Sequence, residues 1–158
     1  MTASNWLTWL EAQGATIDSD QHRVTFSNDA QATPADLQLI PLLDQTLLSM
    51  QGPESEKFLQ GQVSCNVSLI STTQSLLGSN CTPKGNVISA FRLMKQAEEQ
   101  LYLRLPTSIY APAKANLAKY IVFSKAELAD TQDSYVGLGL QGQGATDLIS
   151  AVFGAAPS

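Results

Sequence analysis

The sequence predicts an α+β fold, consisting of a split ferredoxin-like β-α-β-β-β-α unit and the start of a second repeat. Three observations lead to this prediction. A short helix signal follows Gly52, a tight β-hairpin signal surrounds Pro83–Gly85, and residues 100–105 alternate between leucine and other side chains. Because no long linker or low-complexity tract separates these signals, we expect one sheet with helices packed against it.

The first 36 residues predict an extension that precedes the main unit. Two tryptophans and two leucines within residues 6–10 share one helical stripe, which predicts a helix docked on a core. Residues 22–26 predict a short strand, and residues 28–36 are rich in Asn, Asp, Ala and Pro, which is typical of a loop. We therefore expect three segments: 1–36 as the extension, 37–130 as the first α+β repeat, and 131–158 as the truncated start of a second repeat.

Two strands and a helix open the main unit. The strands are predicted over residues 37–40 and 46–50. Pro53 suits the first turn of a helix, where a missing N–H is tolerated, and Gly52 is then the expected N-cap. Gly61 is expected to end this helix in the left-handed conformation.

The β-hairpin is the clearest local signal in the chain. Apolar, β-prone runs at residues 76–77 and 87–93 lie on either side of the turn. Pro83 presets φ at the first central position, and Gly85 can take the left-handed conformation of a type I turn with a bulge. Lys84 then stands at the tip, where solvation explains a lysine unless a ligand requires a cation.

The remainder of the chain predicts further strands and helices. The glycine-rich stretch 137–144 lacks both the spacing of a dinucleotide fingerprint and the Lys-Ser/Thr pair of a P-loop, so a tight strand-to-helix turn explains it. The predicted elements are a half-buried strand at 100–105, a helix at 108–120, a strand at 121–128, a strand at 135–140 and a helix at 145–153.

Composition and charge restrict the class of protein. The chain is 44% hydrophobic with a net charge of −5, and most of the excess acid lies in residues 1–45. It has no basic stripe of the kind that neutralises a phosphate backbone, so direct nucleic-acid binding is not expected. It also has no run of about 18 apolar residues and no basic, hydrophobic signal pattern at its N-terminus, so we expect a cytoplasmic protein without a membrane partner.

The two cysteines do not form a recognisable metal or redox motif. Cys65 and Cys81 are far apart in sequence and have no companion cysteine or nearby histidine, which excludes the usual zinc spacings and a thioredoxin-type pair. We expect both thiols to be reduced. Cys81, beside the hairpin turn, is either buried packing or part of a ligand cleft.

Three runs carry a family resemblance: EKFLQGQV at residues 56–63, LLGSNCTPKGNVISAFRL at 76–93, and LAKYIVFSK at 117–125. In order and spacing they resemble the YgfZ-type folate-binding proteins, relatives of the glycine-cleavage T-protein aminomethyltransferases, over roughly residues 37–153. The resemblance implies the N-terminal portion of a protein with two α+β repeats around a central tetrahydrofolate site. The later Lys-Gly-Cys-x-x-Gly-Gln motif of the YgfZ-type members is not present in this sequence.

The resemblance also directs attention to residues that could contact folate, a flat pterin joined to an anionic glutamate tail. Such a ligand needs an apolar slot, a few fixed polar groups and a cation. Arg92 could equally be a solvated strand residue, and the two glutamines after the helix could simply cap its end. The candidates are Gln45, where some relatives have a tryptophan, Gln60 and Gln62 at the helix exit, Cys81 and Lys84 near the turn, Arg92 on the hairpin, and Tyr120 after the second helix.

The T-proteins carry a Gly-Gly-Ile-x-Asp-Asp pattern after the turn, whose acid is implicated in aminomethyl chemistry. Ser89 and Ala90 fall where these aspartates lie. A serine hydroxyl ionises far above neutral pH and alanine has no polar group, so neither replaces a carboxylate. Aminomethyl transfer is therefore not expected, and no catalytic residue is assigned.

The resemblance implies a non-catalytic tetrahydrofolate-binding protein that supports iron–sulfur cluster assembly or repair and, through cluster enzymes, tRNA modification. Its expected partners are folate and iron–sulfur assembly proteins or cluster enzymes. One alternative is a folate-dependent aminomethyl transferase whose acid is supplied from elsewhere. Another is an interaction module or fragment that binds no ligand.

Overall fold

The structure of the chain is a computed structural model that describes residues 3–27, 33, 37–131 and 134–156. Most of the loop predicted at 28–36 lies outside the described residues. The chain folds into two compact units, residues 44–135 forming one and the sequence on either side of them the other. The elements, in chain order, are α1 (Ala3–Ala12), β1 (Ala15–Asp18), β2 (Arg23–Phe26), β3 (Gln38–Pro41), β4 (Gln45–Gln51), α2 (Ser55–Gln60), β5 (Leu76–Cys81), β6 (Val87–Ala97), β7 (Gln100–Pro106), α3 (Tyr110–Ala118), β8 (Glu127–Asp130), β9 (Leu138–Gln141) and α4 (Ala145–Phe153).

The flanking unit contains α1, the β1–β2 hairpin, the β3–β9 pair and α4. Its N-terminal helix is confirmed, and two residues of the predicted stripe, Trp6 and Leu10, are buried. Trp9 stacks on Trp6 with ring centroids 5.1 Å apart. β3 pairs antiparallel with β9, so two segments about a hundred residues apart in sequence are held together by backbone hydrogen bonds.

The central unit is a five-stranded antiparallel sheet in the order β5-β6-β7-β4-β8, with α2 and α3 packed on one face. The mixed sheet-and-helix architecture predicted from the sequence is confirmed. Alternation along β7 sends three leucines into the core and leaves the residues between them on the other face. The core consists of side chains from the inner face of the sheet and from both helices, including Leu48, Met50, Leu93, Leu101, Leu103, Leu105, Phe58, Leu59, Ala113 and Leu117.

The start and end of α2 differ from the prediction. The helix begins at Ser55 with Glu54 as its N-cap, so Gly52 is not the cap. Gly52 instead has φ +117°, and a Cβ atom built on it would lie 2.6 Å from the carbonyl oxygen of Lys125. Its role is the close approach of two backbone segments. Gly61 has φ −83°, in the right-handed region, so the predicted left-handed exit is also wrong.

The strand predicted over residues 121–128 is largely wrong. Ile121–Phe123 is a single 3₁₀ turn, closed by the Ser124 N–H donating to the Ile121 carbonyl at 2.8 Å, and the strand β8 begins only at Glu127. The backbone of Lys125 is held by Glu54, whose carboxylate accepts from the Lys125 N–H at 2.7 Å. This tertiary bond holds the segment where β-propensity alone would have continued a strand.

The predicted segments 1–36, 37–130 and 131–158 refer to the repeats of a longer fold, and they stay a prediction. Within the part of the chain that the structure describes, no helix is long and apolar enough to cross a membrane.

Candidate functional site

The β5–β6 hairpin presents different chemistry on the two faces of the central sheet. Its turn is the predicted one, because Gly85 has φ +83° and its N–H donates to the Thr82 carbonyl at 2.9 Å. The pairing is Leu77 with Arg92, Ser79 with Ala90 and Asn80 with Ser89, followed by a bulge between Asn80 and Cys81. Neighbouring residues on each strand therefore point to opposite faces.

On the inner face, Asn80 joins three elements through its side-chain amide. It is only 1% exposed. Its Nδ2 donates to the Gln62 carbonyl at 2.7 Å, and its Oδ1 accepts from Asn116 Nδ2 at 2.7 Å. The hairpin is thereby tied to the loop after α2 and to α3. Sequence reasoning missed Asn80, although an Asn within a strand otherwise facing an apolar core was a usable signal.

Ser89 lies directly opposite Asn80 and is equally buried at 1% exposure. Its hydroxyl has no hydrogen-bond partner among the described residues. Ala90, the next residue, points to the other face and is exposed. The two positions at which the T-protein pattern has aspartates are therefore divided between the interior and the surface, and neither carries a carboxylate.

The outer face of the β5, β6 and β7 strands is apolar and cationic. We call the surface formed by Leu77, Cys81, Ala90, Arg92 and Arg104 the open face. Leu77 is 70% exposed, and Cys81, Ala90 and Arg104 are exposed as well. Arg92 and Arg104 are direct cross-strand partners in the β6–β7 ladder. Apolar side chains beside two guanidinium groups suit a flat ligand that carries negative charge.

The seven residues predicted as folate contacts do not form one cluster. Cys81 and Arg92 share the open face, whereas the glutamines at the end of α2 belong to the opposite side of the hairpin. Their contacts with folate stay a prediction. Gln45 is the first residue of β4 and donates to Asp44 Oδ2 at 3.2 Å, and Arg92 donates to Ser75 Oγ at 2.8 Å. Gln60 Oε1 accepts from the Val67 N–H at 2.7 Å, and the Gln62 carbonyl accepts from Asn80. Lys84 is exposed at the turn, and Tyr120 is exposed after α3.

The cysteines occupy different environments. Cys81 is exposed, with its Sγ 3.7 Å from Ser79 Oγ. Cys65 is half-buried, and burial raises the pKa of its thiol, so it remains protonated at neutral pH. A Cβ atom at Gly78 would lie 2.7 Å from Cys65 Sγ, which shows how tightly this thiol packs against β5. Cys65 is a packing residue.

A tyrosine pair adjoins the open face. Tyr102 lies two residues from Arg104 on the same face of β7, and its hydroxyl is 2.8 Å from the hydroxyl of Tyr135. The two rings meet edge to face with centroids 5.4 Å apart. Burial, with a smaller contribution from the Tyr135 hydrogen bond, raises the pKa of Tyr102 to about 12. Tyr102 is therefore neutral at physiological pH.

A cleft of about 660 Å³ lies at the end of the sheet opposite the hairpin turn. Its walls carry three carboxylates and one ammonium group, a charge balance that disfavours a dianionic folate tail. The open face, with Arg92 and Arg104 and no carboxylate among its five residues, has the opposite charge balance. The walls of the cleft consist of Gln51, Gly52, Pro53, Glu98, Glu99, Gln100, Ser124, Lys125, Ala126 and Glu127, which include none of the seven predicted contacts.

Comparison with a solved structure identifies the fold. The chain resembles the glycine cleavage system aminomethyltransferase T from Bartonella henselae with a TM-score of 0.73 and 17% sequence identity, over 91% of this chain and 41% of that one. No family model matches the sequence. The described structure therefore has the fold of the aminomethyltransferase class.

Sequence relatives narrow this class. The tRNA-modifying protein YgfZ of Photorhabdus laumondii is 36% identical over 121 residues, and that of Escherichia coli O157:H7 is 37% identical over 122. Each alignment covers 77% of this chain but only 36% or 37% of the relative. The aligned part of the chain is similar to the YgfZ proteins, and the resemblance predicted from its motifs is confirmed. The chain spans little more than a third of the length of these relatives.

Proposed function

We propose that this chain is the N-terminal portion of a YgfZ-type protein that binds tetrahydrofolate without catalysing aminomethyl transfer. The observation that carries the proposal is the placement of Ser89 and Ala90. One is sealed in the core and the other lies on the open face, and both lack the carboxylate that the T-protein pattern supplies. A surface with this fold and no acid can hold a folate but has no group to orient a protonated amine.

The open face supplies the groups that a folate needs. Leu77 and Ala90 would lie against the flat part of the ligand, and Arg92 would balance the negative charge of the tail. When bound, tetrahydrofolate supplies a carrier for one-carbon groups. Asn80 contributes indirectly, because its two buried hydrogen bonds fix the hairpin on which these side chains stand.

The names of the relatives support a cellular role in tRNA modification. The relatives are named tRNA-modifying proteins. Because this chain has no basic stripe, we propose that it affects tRNA indirectly, in the cytoplasm, by supporting the assembly or repair of iron–sulfur clusters in modifying enzymes. We also propose that residues 37–130 correspond to a split ferredoxin-like repeat and that residues 131–158 begin a second one.

Calorimetric titration with tetrahydrofolate under anaerobic conditions tests the binding. The variant Leu77→Glu places a negative charge on the open face at a highly exposed position. Because it would repel the tail and remove an apolar contact, binding should weaken about tenfold or more, equivalent to about 1.4 kcal/mol. Val122→Glu is the matched control, since Val122 is 68% exposed in the same unit but lies outside the open face.

Absence of binding heat at high micromolar tetrahydrofolate, or equal weakening in both variants, would contradict the proposal. An activity measurement tests the second half of it. The chain should not convert methylene-tetrahydrofolate, and conversion that a folate analogue inhibits would favour a transferase instead.

A further inference from the structure

Arg92 and Arg104 face each other across the β6–β7 ladder. Both point away from the core, because the residues on either side of each arginine are buried. Directly opposed residues of an antiparallel pair have Cβ atoms about 4.5–5.5 Å apart, and like charges in this position destabilise the sheet. The pair therefore has an electrostatic cost in the free protein.

Among the described residues, no acidic side chain of the open face offsets this cost. Leu77 and Leu47 continue the same cross-strand row on either side of the two arginines. Arg92 donates to the neutral Ser75 hydroxyl, and within the described residues the side chain of Arg104 makes no ion pair. The nearest acid in the sheet on this face, Glu127, is two strands and two rows of side chains from Arg104.

The surroundings of the pair indicate the kind of anion that it accepts. Guanidinium groups bind carboxylates and phosphates through paired hydrogen bonds. Leu77 at one end of the row and Leu47 at the other provide an apolar border. An anion joined to an aromatic ring can therefore use both the charge and the border.

We propose that Arg92 and Arg104 together form the site for the carboxylate tail of the folate, with the aminobenzoyl ring against the apolar border. This inference rests on the proposed function and extends it to a residue, Arg104, that the sequence did not single out. Arg92 positions one carboxylate and Arg104 the other, so the tail relieves the repulsion between the two strands.

Three ligands separate this inference from folate binding in general: tetrahydrofolate, a tetrahydropterin without the tail, and p-aminobenzoyl-glutamate, which is the tail alone. Calorimetry on the whole chain should show tetrahydrofolate binding at least tenfold tighter than the tail-less pterin. In Arg104→Gln this gap in affinity should narrow, because one of the two carboxylates loses its partner, while the affinity for the tail-less pterin stays the same. Lys119→Gln, which removes an exposed charge after α3, is the matched control and should keep the gap.

The free protein provides a second measurement that needs no ligand. Because Arg104→Gln removes the like-charge contact, its melting temperature should equal or exceed that of the original chain at low salt, and added salt should narrow the difference. A lower melting temperature for Arg104→Gln at low salt would show that the arginines do not repel each other and would overturn the inference.

The possible failures are distinguishable. If tetrahydrofolate and the tail-less pterin bind equally well, the tail site is wrong and folate binding stands. If neither pterin binds but p-aminobenzoyl-glutamate binds and is lost in Arg104→Gln, the proposed function fails and the tail site stands. If tripolyphosphate binds in an Arg104-dependent way and p-aminobenzoyl-glutamate does not, the pair accepts phosphate and the inference of a carboxylate site is overturned.

Discussion

Replacing Asn80 by alanine tests whether the buried amide holds the hairpin in place. The change removes two hydrogen bonds of 2.7 Å, one to the Gln62 carbonyl and one from Asn116. Each such bond contributes about 1 kcal/mol net, and the partner groups left behind in a buried setting add to the loss. We therefore expect Asn80→Ala to lower the free energy of unfolding by about 2–4 kcal/mol.

The companion variant Asn116→Ala removes only one of the two bonds, and Asn116 is half-buried, so we expect a loss of about 1 kcal/mol. Because the two side chains share a bond, the double variant should cost about 1 kcal/mol less than the sum of the single losses. Urea denaturation followed by circular dichroism measures all three values. Asn86→Ala, at an exposed turn position, is the control and should change stability by less than about 0.5 kcal/mol.

Two results would refute this reasoning. If Asn80→Ala loses no more than Asn86→Ala, the amide bridge does not stabilise the hairpin. If the single losses simply add in the double variant, Asn80 and Asn116 act independently, and the 2.7 Å contact between them contributes nothing measurable.

Three further predictions concern single positions. Ser89→Asp places a carboxyl group in a buried position, where desolvation raises its pKa. The folded state then keeps a proton that the unfolded state releases, so stability should fall as pH rises above about 4. Denaturation at pH 4 and pH 7 should show this loss for Ser89→Asp and not for the exposed Ala90→Asp. Gly52→Ala should destabilise by more than about 2 kcal/mol because its new Cβ would meet the Lys125 carbonyl, and an unchanged melting curve would contradict that contact. The phenolate absorbance of the chain should include a transition at about pH 12 that Tyr102→Phe abolishes. Because the pKa of Tyr102 is raised in the folded state, stability should fall as pH rises from about 10 to 12. Titration of Tyr102 near pH 10 would contradict its burial.

Local signals predicted much of the central unit correctly. The leucine alternation of β7 and the hairpin turn at Gly85 were both readable, because each depends on residues adjacent in sequence. The errors have a different origin. The conformation of Gly52 and of residues 121–123 depends on the backbone near Lys125. Lys125 is bonded to Glu54, which is more than seventy residues away in sequence. Propensity carries no information about such a contact.

The candidate site was harder to predict than the fold. Residue type alone predicts Arg92 and Cys81 as ligand contacts, and the structure brings both to the open face. The prediction for Gln62 depends on its side chain, whereas in the structure its backbone carbonyl accepts a hydrogen bond from Asn80. Arg104 could not be paired with Arg92 from the sequence, since the match depends on the register of two strands.

The bulge between Asn80 and Cys81 has a consequence for how such proteins diversify. Together with the turn, it fixes which of two successive side chains, at 89 and 90, looks outward. The side chain at position 90 can be replaced by one of different chemistry without a change in the interior, because it is exposed. A replacement at position 90 therefore alters only the surface of the sheet, whereas the same replacement one residue earlier alters its packed interior.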